Sequence, residues 1–258
     1  QNPADFSHAK IIGSDEAWDR LARLDITDRR QFALQANEII GQTMKHVNFN
    51  EIEKNDSAYY YRLTVPIWEN YFLYIFKFLK PSTYGIYELS GYKRAIERGV
   101  GQCGQQSMAL IGFLEEKGFN TGFVQLNGHV VATVEVAPGE WYVLDPDYGV
   151  SIPRSAEELA SSRELVETYY SRFLHRNPWS MYGPEPLRVA YGGAGLRYPR
   201  GSVIEELAYA AKWAFPVVLF LFALWVLFRR MGKQAAPSKR IRTNGSLRAV
   251  APGEPNSW

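Results

Sequence analysis

Cys103, His129 and Asp145 carry side chains suited to nucleophilic catalysis, and Cys103 is the candidate nucleophile. It follows a glycine-containing loop in Gly-Val-Gly-Gln-Cys-Gly and opens a run with helical character. A thiol at a helix N-terminus lies near unpaired backbone N–H groups and the positive end of the helix dipole. Both features stabilise the thiolate, which is the reactive form of cysteine. The same N–H groups are suited to binding the oxyanion that forms during acyl transfer.

His129 and Asp145 flank a predicted β-hairpin. His129 follows an Asn-Gly turn and opens one apolar run, and Asp145 closes the next run after a turn at residues 137–139. Antiparallel pairing of these runs brings the carboxylate beside the imidazole, where it fixes the tautomer and stabilises the imidazolium. A cysteine at a helix start, a histidine that opens a strand and an aspartate that closes the next strand therefore predict a Cys–His–Asp triad. Asp147, which lies just past the strand, is the alternative orienting acid.

Each of these residues also has a structural explanation when it is taken alone. A small cysteine at a helix start can be packed, a strand-edge histidine is often solvated, and Asp before Pro commonly forms a turn. The three residues in this order, each in a suitable structural context, favour catalysis. Two other histidines are given no catalytic role, because His46 and His175 lie near predicted helix ends, where a cation is solvated or suits the dipole.

The elements around these residues predict an α+β fold. The helix that carries Cys103 precedes β-rich runs separated by Asn-Gly and Ala-Pro-Gly turns, so it packs beside a small antiparallel sheet. Further helices are indicated by apolar periodicity. The predicted helices are 27–47, 91–98 with Ser90 as its cap, 104–117, and 155–176 with a Ser155/Glu158 capping box, and the predicted strands are 121–127, 129–136 and 140–145.

Residues 66–79, here called the aromatic segment, read PIWENYFLYIFKFL. Pro66 suits the first turn of a helix. The segment is too short to span a membrane and contains Glu69 and Lys77. We predict a buried helix, and a surface that docks onto the bilayer or onto a partner protein is the alternative.

Residues 207–228 predict a membrane-spanning helix. The run is apolar apart from Lys212, and as a helix it is about 33 Å long, enough to cross a hydrocarbon core of about 30 Å. Basic residues are concentrated after the run, from Arg229 to Arg248. The positive-inside rule then predicts a cytoplasmic tail and an extracytoplasmic, periplasmic main domain. That topology requires an export signal, so we expect a removed signal peptide near Gln1.

The composition argues against nucleic acid binding and excludes an intrachain disulfide, and the hydropathy pattern divides the chain into four predicted parts. The net charge of +2 gives no basic surplus that would indicate nucleic acid as a partner, and the single cysteine excludes an intrachain disulfide. An unpaired thiol in an oxidising compartment needs a reason. The predicted parts are an extracytoplasmic domain at 1–176 with its core at about 90–150, a Pro/Gly-rich linker at 177–206, the single span of an inner or plasma membrane at 207–228, and a basic cytoplasmic tail at 229–258.

Three segments resemble the core of the transglutaminase-like superfamily, a circularly rearranged relative of papain-type thiol proteases: GQCGQQSMALIGFLEEKGF, NGHVVATVEV and GEWYVLDPDYG. The resemblance covers about residues 90–150 and matches Cys103, His129 and Asp145 to the catalytic triad of the family. The Gly-Gln-Cys tripeptide also resembles the nucleophile motif of animal transglutaminases. However, Gly104 stands where those enzymes have Trp, and no acidic calcium cluster is evident, so no metal or cofactor is expected.

The resemblance implies a bacterial, membrane-anchored cysteine protease or amide hydrolase that acts on a protein or peptide-like substrate. If an amine replaces water, the same site is an amine-transferring transglutaminase. The side chain that completes the oxyanion hole is not identifiable from the sequence, and Gln102 and Tyr92 are the candidates. The alternative function is a non-catalytic subunit of an envelope or polysaccharide-export assembly, with a membrane or envelope protein as its partner.

Overall fold

The computed structural model describes residues 12–46, 63–85, 87–171, 179–182, 188–191 and 199–234. The chain divides into two compact units, residues 1–212 and 213–258. The first unit is a mixed α and β structure with a small antiparallel sheet, which confirms the α+β prediction at that level. The expectations for Gln1, His175 and residues 235–258 of the tail lie outside the described residues.

A five-stranded antiparallel sheet and a separate two-stranded parallel ladder form the β part of the first unit. The strands are β1 Lys45–His46, β2 Val100–Gly101, β3 Asn120–Leu126, β4 His129–Ala137, β5 Glu140–Asp145, β6 Val150–Ile152 and β7 Arg188–Tyr191. The order in the larger sheet is β6-β5-β4-β3-β7, so strands that follow one another in the chain are neighbours from β3 to β6. In the ladder, β1 pairs with β2.

Several helices pack against this sheet, and one of them lies at the centre of the core. The helices are α1 Ser14–Ala22, α2 Arg29–Thr43, α3 Tyr71–Leu79, α4 Pro81–Tyr84, α5 Tyr92–Arg98, α6 Cys103–Glu116, α7 Ala156–Ser161, α8 Arg163–Tyr169, α9 Trp179–Tyr182 and α10 Pro199–Gln234. Helix α6 packs against β3, β4 and α2, and it is buried along most of its length. From α2, the Phe32 ring stacks on Phe113 and Phe119 at centroid distances of 5.8 and 5.5 Å.

The hairpin that carries His129 and Asp145 forms as the sequence predicts. Across the Asn-Gly turn, Leu126 pairs with His129, and Gly128 has a φ of 73°, the positive value that a tight hairpin turn requires. Strands β4 and β5 then pair in antiparallel fashion up to Leu144. The last residue of β5 is therefore close to the first residue of β4.

Two predicted helices differ from the observed ones at their ends. The helix predicted at 27–47 ends at Thr43, because the chain turns there into β1. The helix predicted at 91–98 is capped by the backbone of Gly91, so Ser90 is not its cap. The Ser90 hydroxyl and N–H donate instead to the carboxylate of Glu205.

The helix predicted at 155–176 is divided into two short helices, α7 and α8, over residues 155–171, and its residues 172–176 lie outside the described residues. Its predicted start is confirmed, because Ser155 and Glu158 form both hydrogen bonds of a capping box. The break is at Ser162, whose backbone is extended and whose hydroxyl accepts from the N–H of Leu165 to cap α8. A second capping serine within the apolar periodicity thus divides the predicted helix.

The segment 177–206, predicted as an irregular linker, contributes to the first unit. Its residues Arg188–Tyr191 form β7, which pairs with β3 at the edge of the sheet. Helix α10 already begins at Pro199. The prediction of an irregular linker is therefore wrong for these residues, because pairing with a strand about 65 residues away orders them and local composition does not reveal such a partner.

The first part of α10 is joined to the first unit by a buried carboxylate. Glu205 is fully buried and accepts from Ser90, from the hydroxyl of Tyr87 at 3.2 Å and from the guanidinium of Arg94 at 3.1 Å. The N–H of Gly91 adds a further donor at 3.3 Å. These donors offset the cost of burying the charge.

Helix α10 continues as an apolar helix. Its stretch Val203–Met231 is long and apolar enough to cross a membrane, and it contains the run predicted at 207–228. Pro216 lies inside the helix without ending it, as is tolerated in spanning helices. The large apolar side chains from Phe215 to Phe228 are exposed for the most part, which fits a surface that faces lipid.

The aromatic segment 66–79 is not a buried helix. Its helix, α3, begins only at Tyr71, where the Asn70 side chain accepts from two backbone N–H groups. Leu73 is buried in the core, whereas Phe78 on the same helix is mostly exposed. The prediction of burial is wrong because apolar residues occupy both sides of α3 and the core covers only one side.

Candidate active site

Cys103 is the first residue of α6, and Gln102 before it is the N-cap residue. The Gln106 N–H donates to the Gln102 carbonyl oxygen at 3.0 Å and closes the first turn. The N–H groups before it in that turn have no partner within the helix and point out of its start. Glycine is required at Gly101, since a Cβ there would lie 2.6 Å from the Cβ of Gln105. Cys103 is partly exposed and also packs against the hydrophobic core.

His129 and Asp145 form a buried hydrogen-bonded pair. The Nε2–H of His129 donates to Oδ2 of Asp145 at 2.8 Å, and the two side chains are 1% and 0% exposed. The other carboxylate oxygen, Oδ1, accepts from the backbone N–H groups of Asp147 and Tyr148 at 3.1 and 3.2 Å. The turn that follows β5 therefore fixes the carboxylate, and the carboxylate fixes the imidazole.

The second ring nitrogen of His129 is the one available to Cys103. Because Nε2 carries the proton donated to Asp145, Nδ1 bears the lone pair of the neutral ring. The Cys103 sulfur lies within 4.8 Å of a ring nitrogen of His129. Burial by itself would lower the pKa of His129, but the Asp145 carboxylate and the Cys103 sulfur outweigh burial and hold that pKa well above its ordinary range. The sulfur, the ring and the carboxylate thus lie in the order of the predicted triad.

A second histidine–aspartate pair lies beside the first. The Nδ1–H of His46 donates to Oδ1 of Asp147 at 2.6 Å, and the side-chain amide of Gln106 donates to the same oxygen at 2.7 Å. His46 reaches this buried position because β1 pairs with β2, which places it opposite Gly101. The assignment of His46 to a helix end is therefore wrong, because the helix stops before it. Asp147 binds His46, so it does not replace Asp145 as the partner of His129.

Cys103, His129 and Asp147 also form a group that resembles a metal site. One ligand atom from each lies within 4.8 Å of the others, and sulfur, imidazole and carboxylate are ligand types that Zn²⁺ accepts. Oδ2 of Asp147 is buried and has no hydrogen-bond partner among the residues that the structure describes. Proton transfer between a thiol and an imidazole requires the same closeness, so the grouping alone does not indicate an ion.

Two tyrosines that the sequence analysis did not assign to the site form a hydrogen-bonded chain that ends on Asp145. The Tyr170 hydroxyl donates to Oδ2 of Asp145 at 2.7 Å and accepts from the Tyr182 hydroxyl at 2.9 Å. Burial and the neighbouring Asp145 carboxylate raise the pKa of Tyr170 well above its ordinary range, so the phenol stays protonated as a donor. The sequence offers only a weak indication of this role. Tyr170 lies on the apolar side of a predicted helix, and a buried tyrosine hydroxyl requires a hydrogen-bond partner.

The two candidates for the oxyanion hole lie at different ends of α6. The Tyr92 hydroxyl is hydrogen-bonded to Glu116 at the C-terminal end, and its ring packs against Phe113. Cys103 is at the other end, about 20 Å away at a rise of 1.5 Å per residue. The proposal of Tyr92 as oxyanion donor is therefore wrong. Gln102 is adjacent to Cys103 and partly exposed, and its side chain does not cap the helix.

Comparisons with protein-family models, with curated proteins and with solved structures return no match to this chain. The resemblance to the transglutaminase-like superfamily therefore stays an expectation from sequence motifs. The function has to be argued from the contacts of Cys103, His129 and Asp145 and of the groups around them.

Proposed function

We propose that the chain is a thiol-dependent acyl-transfer enzyme of the transglutaminase-like type, and that it hydrolyses amide bonds. The observation that carries the proposal is that the Cys103 sulfur lies within 4.8 Å of a ring nitrogen of buried His129, whose Nε2–H donates to buried Asp145. Burying a charged imidazole–carboxylate pair is costly, and such a pair is often no more stable than apolar packing. Its position beside the one thiol of the chain is explained by a need to activate that thiol.

The first half of the proposed reaction forms a thioester. The Cys103 thiolate, whose proton is already held at Nδ1 of His129, attacks the carbonyl carbon of the amide, so a C–S bond forms and negative charge moves to oxygen. The N–H groups at the start of α6 stabilise that oxyanion. The C–N bond then breaks, and His129 gives its proton to the leaving amine. Asp145 holds the ring in the required tautomer throughout.

The second half releases the acyl group. Water adds to the thioester carbon as His129 takes one of its protons, the C–S bond breaks, and the proton returns to sulfur. The products are a carboxylic acid and the free thiol. An amine that reached the thioester before water would give a new amide, which is the transglutaminase alternative. Partial exposure of Cys103 gives water access to the thioester, so hydrolysis is the outcome that we propose.

The proposed location is the outer face of a membrane. Helix α10 is long and apolar enough to serve as the anchor, and basic residues follow it in the sequence. The positive-inside rule then assigns the tail to the cytoplasm and the catalytic unit to the extracytoplasmic side. The substrate would be a protein or peptide-like chain on that side.

A non-catalytic subunit of an envelope assembly is the competing function. The exposed apolar side chains of the aromatic segment favour it, because such surfaces mark interaction sites. The closeness of the Cys103 sulfur to a ring nitrogen of His129 supports the enzyme, because a scaffold does not require a thiol beside a histidine–aspartate pair.

The single cysteine allows a direct test in the full-length chain held in detergent micelles. We expect iodoacetamide to alkylate Cys103 rapidly at pH 6, where an unperturbed thiol with a pKa of about 8.5 is less than about 1% ionised. His129→Ala removes the imidazolium that pairs with the thiolate, so the rate at pH 6 falls about 100-fold. Mass spectrometry of the intact chain gives the rate without interference from other thiols.

Arg163→Ala is the control, since the Arg163 side chain is 60% exposed and pairs with Glu167 on the surface of α8, so its loss leaves the site intact. The proposal fails if wild type and His129→Ala react at the same low rate, with the rate rising only above about pH 8. That result would favour the non-catalytic subunit.

A further inference from the structure

The aromatic segment 66–79 exposes several large apolar side chains to solvent. Trp68 is 83% exposed, which is unusual for so large a ring in a folded domain. A helix of a soluble protein normally covers such groups with its own core or exchanges them for polar ones. The large apolar side chains that the segment exposes are Ile67, Trp68, Ile75, Phe78 and Leu79.

Hydrogen bonds hold this segment against the first part of α10. The Tyr209 hydroxyl donates to the carboxylate of Glu69. The ammonium of Lys212 donates to the backbone carbonyl of Glu69 at 2.8 Å, and the Tyr71 hydroxyl donates to the carbonyl of Lys212 at 3.2 Å. All four residues belong to the first unit. Directly after Lys212 the chain enters its most apolar run.

The segment carries one charge of each sign, Glu69 and Lys77, and Lys80 follows it directly. The Glu69 carboxylate accepts from Tyr209, which leaves Lys77 and the exposed Lys80 to meet an anionic surface. The Lys77 ammonium lies over the rings of Tyr74 and Phe78, at 4.5 and 5.2 Å from their centroids. Aromatic rings beside lysines are typical of the headgroup region of a bilayer, where the rings sit at the interface and the ammonium groups reach phosphates.

We infer that the aromatic segment docks into the headgroup region of the same membrane that α10 crosses, with Trp68, Ile75 and Phe78 inserted among the lipids. The occupant of this surface is the bilayer, because the segment is bonded to residues 209 and 212, from which the chain continues into the apolar helix. The catalytic unit is then held against the membrane at two places, the anchor and the segment. The contact of the aromatic segment with the lipid headgroups does not depend on whether Cys103 is catalytic.

The single cysteine again permits a clean experiment, with spin labels placed one at a time in a Cys103→Ala background of the full-length chain. The labelled variants, Ile75→Cys and Phe78→Cys, are reconstituted into vesicles that contain anionic phospholipid. Accessibility to oxygen, which concentrates in lipid, is compared with accessibility to a water-soluble nickel complex. Ile26→Cys is the matched control, because Ile26 is an isoleucine of similar exposure, 42% against 49% for Ile75, in the loop between α1 and α2.

We expect the oxygen-to-nickel ratio to be several-fold higher at residues 75 and 78 than at residue 26. A ratio at 75 and 78 equal to that at 26 would place the segment in water and overturn the inference. Dipolar broadening of the spectra would also overturn it, since the occupant would then be a second copy of the chain. Poor access of both reagents at 75 and 78 would do the same, because a protein would then cover the surface.

Discussion

The carboxylates of Asp145 and Asp147, two residues apart in the turn after β5, bind two different histidines. Asp145 accepts from His129, and Asp147 accepts from His46, although the Asp147 N–H itself donates to Asp145. The His129–Asp145 and His46–Asp147 pairs are therefore connected through the short backbone segment from Asp145 to Asp147. His129, the histidine of the first pair, has a ring nitrogen within 4.8 Å of the Cys103 sulfur.

Asn substitutions at these two aspartates separate their roles. Asp145→Asn removes the negative charge that holds the His129 tautomer and raises the pKa of His129, so we expect alkylation of Cys103 at pH 6 to slow by about 100-fold or more. Asp147→Asn leaves the bond between His129 and Asp145 in place, and we expect a change below about tenfold. Rates from intact-mass spectrometry check both. A larger loss in Asp147→Asn than in Asp145→Asn would contradict this assignment.

Tyr170 and Tyr182 provide a similar matched pair. Tyr170→Phe keeps the ring and removes one donor from Asp145, and we expect a loss of about 1–2 kcal/mol in the free energy of unfolding together with a several-fold slower reaction of Cys103. Tyr182→Phe removes a hydroxyl that does not touch Asp145, so the reaction rate stays within about twofold of wild type. Denaturation followed by fluorescence and alkylation kinetics measure the two effects. Equal rates in the two variants would show that Tyr170 has no influence on the triad.

Protonated His129 makes the stability of the folded chain depend on pH. Its folded pKa is raised above the unfolded value of about 6.5, so the charged ring stabilises the folded state fully below about pH 6.5 and loses that effect as pH rises through the folded pKa. We compare Cys103→Ala with Cys103→Ala/His129→Gln, which cannot titrate at 129. The difference in unfolding temperature should be largest at pH 6 and smaller at pH 10. A difference that grows with pH would contradict the raised pKa.

Glu205 and Glu206 test how α10 is joined to the first unit. Glu205→Gln replaces a buried charge that pairs with Arg94, and we expect a loss of about 2–4 kcal/mol in stability. Glu206 pairs with the same arginine but is 67% exposed, so Glu206→Gln costs less than about 1 kcal/mol. Thermal unfolding in detergent measures both. Equal losses would show that burial of Glu205 contributes nothing.

Local patterns were sufficient for the part of the site that lies on consecutive elements. The Asn-Gly turn, the alternating strands and the helix that starts at Cys103 are encoded within about 45 residues, so turn chemistry and periodicity predicted how His129 meets Asp145. The capping box at Ser155 was predicted for the same reason, since its two hydrogen bonds join residues three positions apart.

The sequence did not predict the roles of residues that long-range pairing brings to the site and to the sheet. His46 reaches Asp147 only because a two-residue strand pairs with Val100 and Gly101, and so short a pairing has no sequence signature. The edge strand at Arg188–Tyr191 lies in a Pro- and Gly-rich stretch and is ordered by β3. Tyr92 failed as an oxyanion donor because sequence proximity to Cys103 does not reveal which end of α6 it faces.

The buried carboxylate of Glu205 has a consequence for how the molecule is made. Chains are synthesised from the N-terminus and their domains fold as units during synthesis. Here Ser90, Gly91, Tyr87 and Arg94 emerge early, but their shared acceptor is part of the helix that leads into the apolar run. The first unit therefore completes these hydrogen bonds only after residue 205, close to the end of that unit, has been synthesised.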